Sequence, residues 1–207
     1  MIECYGASRP QKGHSASEDA FLIERDPVPY AALFDGAGNA ERAAHAVLRF
    51  FKLIIKDQSS KVADPAAWAK WVKLMDSHLM GSAQSTFVGV AVPDEANGSV
   101  VGAYAGDSRA YVIGEGSARL VTTESSPARL GSGRVKAVTI TLTLRPRDVL
   151  LLMSDGAWTP LGGTYLLKKA VVKAAMDHFS AVPQAVLDVS ARTGQYDDMT
   201  VVALRRR

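Results

Sequence analysis

Short apolar runs, each edged by a carboxylate, dominate this chain and limit what it can fold into. Asp19 opens one in SEDAFLI, Asp35 ends YAALFDG, and Asp107 interrupts VGAYAGDSRAYVI. Asp155 ends VLLLMSDG, and Asp197 stands just before MTVVAL. Short apolar runs bounded by turn residues read as buried strands. A carboxylate fixed at the end of a buried strand cannot retreat into solvent. Five of them gathered at one end of a core would repel one another unless positive charge stood among them. Hard divalent cations such as Mg²⁺ and Mn²⁺ take oxygen ligands and answer that need. The pattern points to a metal-dependent hydrolase.

Composition removes several other classes. At 207 residues, 47% hydrophobic and 22% charged, the chain has globular proportions and the length for a single domain with a sizeable core. No apolar run reaches the roughly 18 to 20 residues of a membrane span, and MIECYGASRP lacks the apolar heart of a signal peptide. The expected compartment is the cytoplasm. Cys4 is the only cysteine, which excludes an internal disulfide and a cysteine zinc site. The net charge of +3 owes much to Arg205-Arg206-Arg207, read as a solvated terminal tail. No basic helix or aromatic-and-basic stripe supports a nucleic-acid partner.

The periodicity divides the chain into blocks. MIECYGA, AFLIER and YAALFD read as strands, with a turn at Asp26-Pro27 and Pro29. Ala43, Ala44, Val47, Leu48, Phe51, Ile54 and Ile55 then line one face of a helix. A second helix opens with Asp64 as its N-cap and Pro65 at its first position, and carries Trp68, Trp71, Val72, Met75 and Leu79. From Ser85 the period becomes two. STFVGVAV and SVVGAYAG flank a hairpin turn at Asn97-Gly98, and RAYVIG and ARLVTT are expected to continue that meander. VTITLTL presents a threonine face, and VLLLMSD is buried on both sides. Helices over 165–178 and 183–194 precede a last strand, MTVVALR. Strands, a helix pair, more strands, a helix pair and a strand make an α+β fold, with two packed, mainly antiparallel sheets between helical layers.

Each acidic motif alone is an ordinary turn signal. Here two Asp-Gly pairs end buried strands, and a glycine after the aspartate lets its backbone approach an ion, so the Gly36 carbonyl is a candidate ligand. For Asp107 the competing readings are a bulge or a salt bridge to Arg109. The four histidines, at 14, 45, 78 and 178, show no metal-ligand spacing. His45, His78 and His178 suit surface or capping roles. GxSxG and GxxxxGK[ST] are absent. FDGAGNAERAA lacks the third small residue of a dinucleotide turn, Glu41 standing there.

Laid out in order, SEDAF, ALFDGAGN, STFVGVAV, GDSRAY, LLLMSDGAW and DDMTVVAL resemble the motifs of the protein phosphatase 2C family of metal-dependent Ser/Thr phosphatases. The resemblance runs from about Gly13 to Val202 and implies the family's four-layer α-β-β-α sandwich. It also implies roles. Asp35 would bridge two Mn²⁺ or Mg²⁺ ions, with the Gly36 carbonyl on one and Asp155 and Asp197 on the other. Glu18 and Asp19 would hold metal-bound waters, and Asp107 with Asp155 a weaker third ion. A water between the cations would then attack phosphorus in line, with no covalent intermediate.

The chain departs from the family pattern at three places. His14 stands where the family carries a phosphate-binding arginine, and Ala37 where a His or Met is common. The segment near 126–148 is shorter than the family's flap region. These departures bear on affinity and peptide selectivity more than on metal binding. The implied partner is a phosphoprotein, a Ser/Thr kinase or its target, acted on by a monomer. Two other functions fit the residues: a non-catalytic binding module of the same fold, and a metallophosphatase for a small phosphorylated molecule.

Overall fold

Alternation and helical stripes become twelve strands and five α-helices in a computed structural model, which describes residues 1–26, 28–37, 43–123, 128–194 and 197–207. One five-stranded sheet has the order β1 (Ile2–Arg9), β12 (Met199–Arg206), β11 (Val149–Met153), β8 (Arg109–Gly114) and β9 (Ser117–Leu120). The other runs β10 (Val138–Thr143), β7 (Ser99–Ala105), β6 (Phe87–Asp94), β3 (Tyr30–Phe34) and β2 (Ala20–Glu24). Every neighbouring pair is antiparallel. A two-stranded ribbon, β4 (Gly36–Ala37) with β5 (Gln84–Ser85), lies beside them.

Helices cover both outer faces, as the block order predicts. Helix α1 (Ala43–Asp57) buries Ala43, Ala44, Val47, Phe51, Ile54 and Ile55. Helix α2 (Pro65–Leu79) starts where the Asp64 side chain accepts the Ala66 N–H at 2.8 Å, an N-cap with proline in the first turn behind it. Its Trp68, Trp71, Val72, Met75 and Leu79 pack with α1 over the second sheet. Helices α4 (Thr164–Asp177) and α5 (Val182–Thr193) cover the first sheet through Leu167, Val171, Val186 and Leu187. A third apolar layer, with Leu33, Val88, Val90, Leu150, Leu152 and Leu204, fills the space between the sheets. The architecture is the expected α-β-β-α sandwich. No helix among the described residues is long and apolar enough to cross a membrane.

Two expectations need correction. RAYVIG and ARLVTT do not continue the meander in the sheet of β6 and β7; they cross to the other sheet as β8 and β9. The crossing is made at Gly106, whose φ of +92° and whose approach to Thr86, 2.8 Å from where a Cβ would stand, admit only glycine. The middle of β8 is buried on both faces, so alternation carries no mark of which sheet it joins, and β9 follows it as a half-exposed edge strand. The terminal arginines are not a free tail either. Arg205 stands opposite Glu3 in the β1–β12 ladder, bonds Glu3 Oε2 at 2.7 Å and lies 4.3 Å over the Phe179 ring. Arg207 bonds the other Glu3 oxygen at 2.8 Å. A cross-strand pair of opposite charge places this run in the sheet.

Candidate metal centre

Three strands from two sheets end at one place, and each delivers an acid. Asp35 follows β3, Asp107 lies two residues past β7, and Asp155 follows β11 by two residues as the first residue of α3 (Asp155–Trp158). One carboxylate oxygen from each lies within 4.8 Å of the others. The extended stretch through Ser85 and Thr86 that leads into β6 stitches the group together. Ser85 Oγ donates to the Asp35 carbonyl at 3.0 Å, and the Thr86 N–H donates to the same carbonyl at 2.9 Å. Thr86 and Ser108 share a buried hydroxyl hydrogen bond of 2.6 Å, which ties the Asp107 turn to the same stretch. Gly156 sits where an added Cβ would come within 2.0 Å of the Asp198 carbonyl, so α3 packs on the start of β12 only with glycine there.

The neighbours of Asp107 differ from the alternatives read in the sequence. Arg109 does not pair with it: its guanidinium lies 3.3 Å over the Trp158 ring and donates to Tyr111 Oη at 3.1 Å. Trp158 Nε1 donates to the Asp107 carbonyl at 3.2 Å. The carboxylate of Asp107 pairs instead with Arg129, at 3.3 Å.

Burial dominates the electrostatics. Asp35, 7% exposed, has its pKa pushed up to about 9, first by burial and then by repulsion from Asp19 and Asp155. Asp19, 5% exposed, is raised to about 7 by burial, against hydrogen bonds to Thr200 and Ser154 that lower it. Asp155 is raised by burial and by the charges of Asp107 and Asp197. The Oδ2 atoms of Asp19 and Asp35 are both buried with no hydrogen-bond partner among the described residues. A buried carboxylate oxygen without a donor is costly, and two of them in one acidic cluster point to a missing positive partner. An all-oxygen donor set suits a hard divalent cation, so the residues fit the metal that the sequence implies.

A family model described as Stage II sporulation protein E (SpoIIE) matches residues 31–207. The chain belongs to this protein phosphatase 2C-like family. Solved structures similar to it include the serine/threonine phosphatase Stp1 of Staphylococcus aureus, at TM-score 0.85 and 19% identity over 100% of this chain and 96% of that one. The PPM Ser-Thr phosphatase MsPP of Mycobacterium smegmatis, in complex with cacodylate, aligns at TM-score 0.81 and 17% identity, over 99% and 98% of the two chains. The catalytic domain of the serine threonine protein phosphatase PstP, in complex with two manganese ions, aligns at 0.78 and 16%, over 99% and 97%. At these identities the likeness is one of fold. No curated protein sequence matches the chain.

In this SpoIIE-family chain the other expected site residues are spread around the acidic trio. Glu18 is half-buried and Asp19 buried at the end of the loop between β1 and β2. Gly36 is paired with Ser85 in the small ribbon. Asp197 is exposed; its Oδ1 accepts the Asp198 N–H at 2.8 Å, and its charge reaches Asp155, but it stands outside the three acids that converge within 4.8 Å. His14 is exposed in the same loop as Glu18, its backbone N–H bonded to the Gln11 carbonyl. Residues 38–42, which include Asn39 and Glu41 of the FDGAGNAERAA stretch, lie outside the described residues. So do Ser126 and Pro127 of the short segment.

Sequence reasoning missed two acids that hold this arrangement. Asp198 is buried, and its carboxylate accepts backbone N–H groups from Gln11, at 2.5 Å, and from Glu18. It thus pins both ends of the loop that presents Glu18 and Asp19. The doubled acid at 197–198 was the available signal, but nothing local says which of two adjacent carboxylates turns inward. Asp76, on α2, accepts the N–H groups of Gly131 and Gly133 at 2.8 and 3.1 Å. Leu130 is fully buried and exchanges two backbone hydrogen bonds with Ser85. The short segment is therefore anchored beside the site.

Proposed function

We propose that this chain is a Mn²⁺- or Mg²⁺-dependent phosphatase that hydrolyses phosphoserine and phosphothreonine. The observation that carries the reading is the pair of buried, donorless carboxylate oxygens on Asp19 and Asp35 beside three converging acids. Support comes from the family match and from similar folds whose names are those of serine/threonine phosphatases, one of them bound to two manganese ions. In this reading Asp35, the Gly36 carbonyl, Asp155 and Asp197 would hold two cations. Asp107 would join Asp155 on a third, and Glu18 and Asp19 would act through water. When bound, such cations supply positive charge against the phosphoryl oxygens and a water acidic enough to ionise near neutral pH.

The chain's own residues prepare that site. Burial first, and then the charges of neighbouring acids, raise the pKa of both Asp35 and Asp155, so metal loading would compete with protons here. Ser85 and Thr86 hold the backbone of Asp35, Trp158 holds that of Asp107, and Asp198 holds the loop of Glu18. The substrate is a phosphoprotein of a Ser/Thr kinase pathway, met in the cytoplasm by a monomeric enzyme.

The test is hydrolysis of a generic aryl phosphate with Mn²⁺ or Mg²⁺, with and without chelator, followed by a panel of phosphopeptides and small phosphorylated metabolites. Metal-dependent turnover favouring phosphopeptides is expected. Metal binding without turnover would make the chain a binding module, and preference for a metabolite would make it a small-molecule phosphatase.

A further inference from the structure

The short segment brings one cation to the rim of the acidic trio, and nothing in the fold's stability requires it there. Arg129 Nη2 lies 3.3 Å from Asp107 Oδ2, with the two side chains 31% and 48% exposed. Ion pairs this open to water contribute little to stability. Yet the backbone beside Arg129 is held with care. Leu130 is fully buried and bonds Ser85 through both of its main-chain groups, at 2.8 and 3.1 Å. The Ser85 hydroxyl in turn donates to the Asp35 carbonyl. On the far side, Asp76 clamps Gly131 and Gly133. One stretch of backbone thus fixes Asp35 and Arg129 relative to each other.

We propose that Arg129 is the residue that receives the phosphate group of the substrate, an inference that rests on the phosphatase reading. The other cations are less suited. Arg109 is committed to the Trp158 face and the Tyr111 hydroxyl. His14 is exposed in the loop between β1 and β2 and is cationic only when protonated. Arg129 is always charged, and Asp107 is its one ion-pair partner among the described residues. A guanidinium fork offers parallel N–H groups that match two oxygens of a phosphate monoester dianion. When Asp107 turns to a cation, the fork loses its carboxylate and is left facing the place where an anion must bind. The shortened segment thereby supplies from its anchored end the arginine that the sequence lacks at position 14.

The experiment compares wild type, Arg129→Ala and Arg129→Lys, each loaded with Mn²⁺. Calorimetry measures the binding of inorganic phosphate and, separately, of Mn²⁺; steady-state kinetics with an aryl phosphate separates KM from kcat. Arg129→Ala is expected to weaken phosphate binding and raise KM by about tenfold or more, as loss of a charge-assisted bidentate contact does. Arg129→Lys is expected to recover part of the loss, since it keeps the charge without the fork. Mn²⁺ affinity should hold or tighten, because Asp107 is freed. Should Arg129→Ala fail to give a cooperative melt, Arg129→Gln takes its place with the same expected loss.

Wild-type phosphate affinity and KM in the variant, with Mn²⁺ bound more tightly, would overturn the proposal and leave Arg129 as a counter-ion of Asp107. A wild-type protein that neither hydrolyses the aryl phosphate nor binds inorganic phosphate would overturn the phosphatase reading, and this inference with it.

Discussion

Asp35 combines deep burial with the company of other acids, and its protonation couples the site to the stability of the whole chain. Its pKa of about 9 and the value of about 7 for Asp19 both lie above the 3.8 of an ordinary aspartate. Across that interval the folded, metal-free protein holds more protons than the unfolded chain, so its stability falls as pH rises. The contribution is complete below pH 3.8 and is lost as pH passes through about 7 and then about 9. In chelator, the melting temperature is therefore expected to drop between pH 5 and 9, and Mn²⁺ to oppose the drop. Asp35→Asn should flatten the upper part of this profile and abolish tight Mn²⁺ binding. Melting curves at stepped pH, with calorimetric Mn²⁺ titration, check both. Parallel profiles for wild type and variant would assign the slope to other groups. At this scale the sequence was legible where chemistry is local: an Asp-Gly pair ending an apolar strand marks Asp35 and Asp155. Asp198 was not legible, because its inward turn depends on Gln11 and Glu18, nearly the whole chain away.

Elements show the same division. The stripe of α2 and its Asp64-Pro65 start could be read directly, and the threonine face of β10 is exposed as its alternation implies. The short segment after residue 128 could only be counted. Its anchoring was not legible: Asp76 and Ser85 hold it against α2 and β5. Removing the buried Asp76 carboxylate takes one charged acceptor from two part-buried N–H groups. Asp76→Ala is expected to cost about 1–3 kcal/mol of stability, the usual penalty for such a loss. It should also speed hydrogen exchange at the Gly131 and Gly133 amides far more than in β11. Urea unfolding and amide exchange test this, and unchanged exchange at both glycines would show that Asp76 does not anchor the segment.

Across the whole molecule, the middle layer joins the two sheets, with Leu150 and Leu204 from one facing Leu33 and Val90 from the other. A shared core of this kind implies that the sheets unfold together as one domain. Leu150→Ala is expected to cost about 2–5 kcal/mol through its cavity and to shift a single transition without splitting it. Calorimetry and denaturant unfolding followed by two probes would check it, and two separate transitions would argue for independent halves. The sequence by itself determined the element types, the helical layers and the acids that end strands, because each rests on a period or a cap within a few residues. Tertiary structure alone decided that β8 and β9 change sheets and that Arg205 and Arg207 close on Glu3. It alone brought Asp107 into the trio while leaving Asp197 beside it, and put Arg129 at its rim. These outcomes depend on distances between segments far apart in the chain, and strands buried on both faces carry no local record of their neighbours.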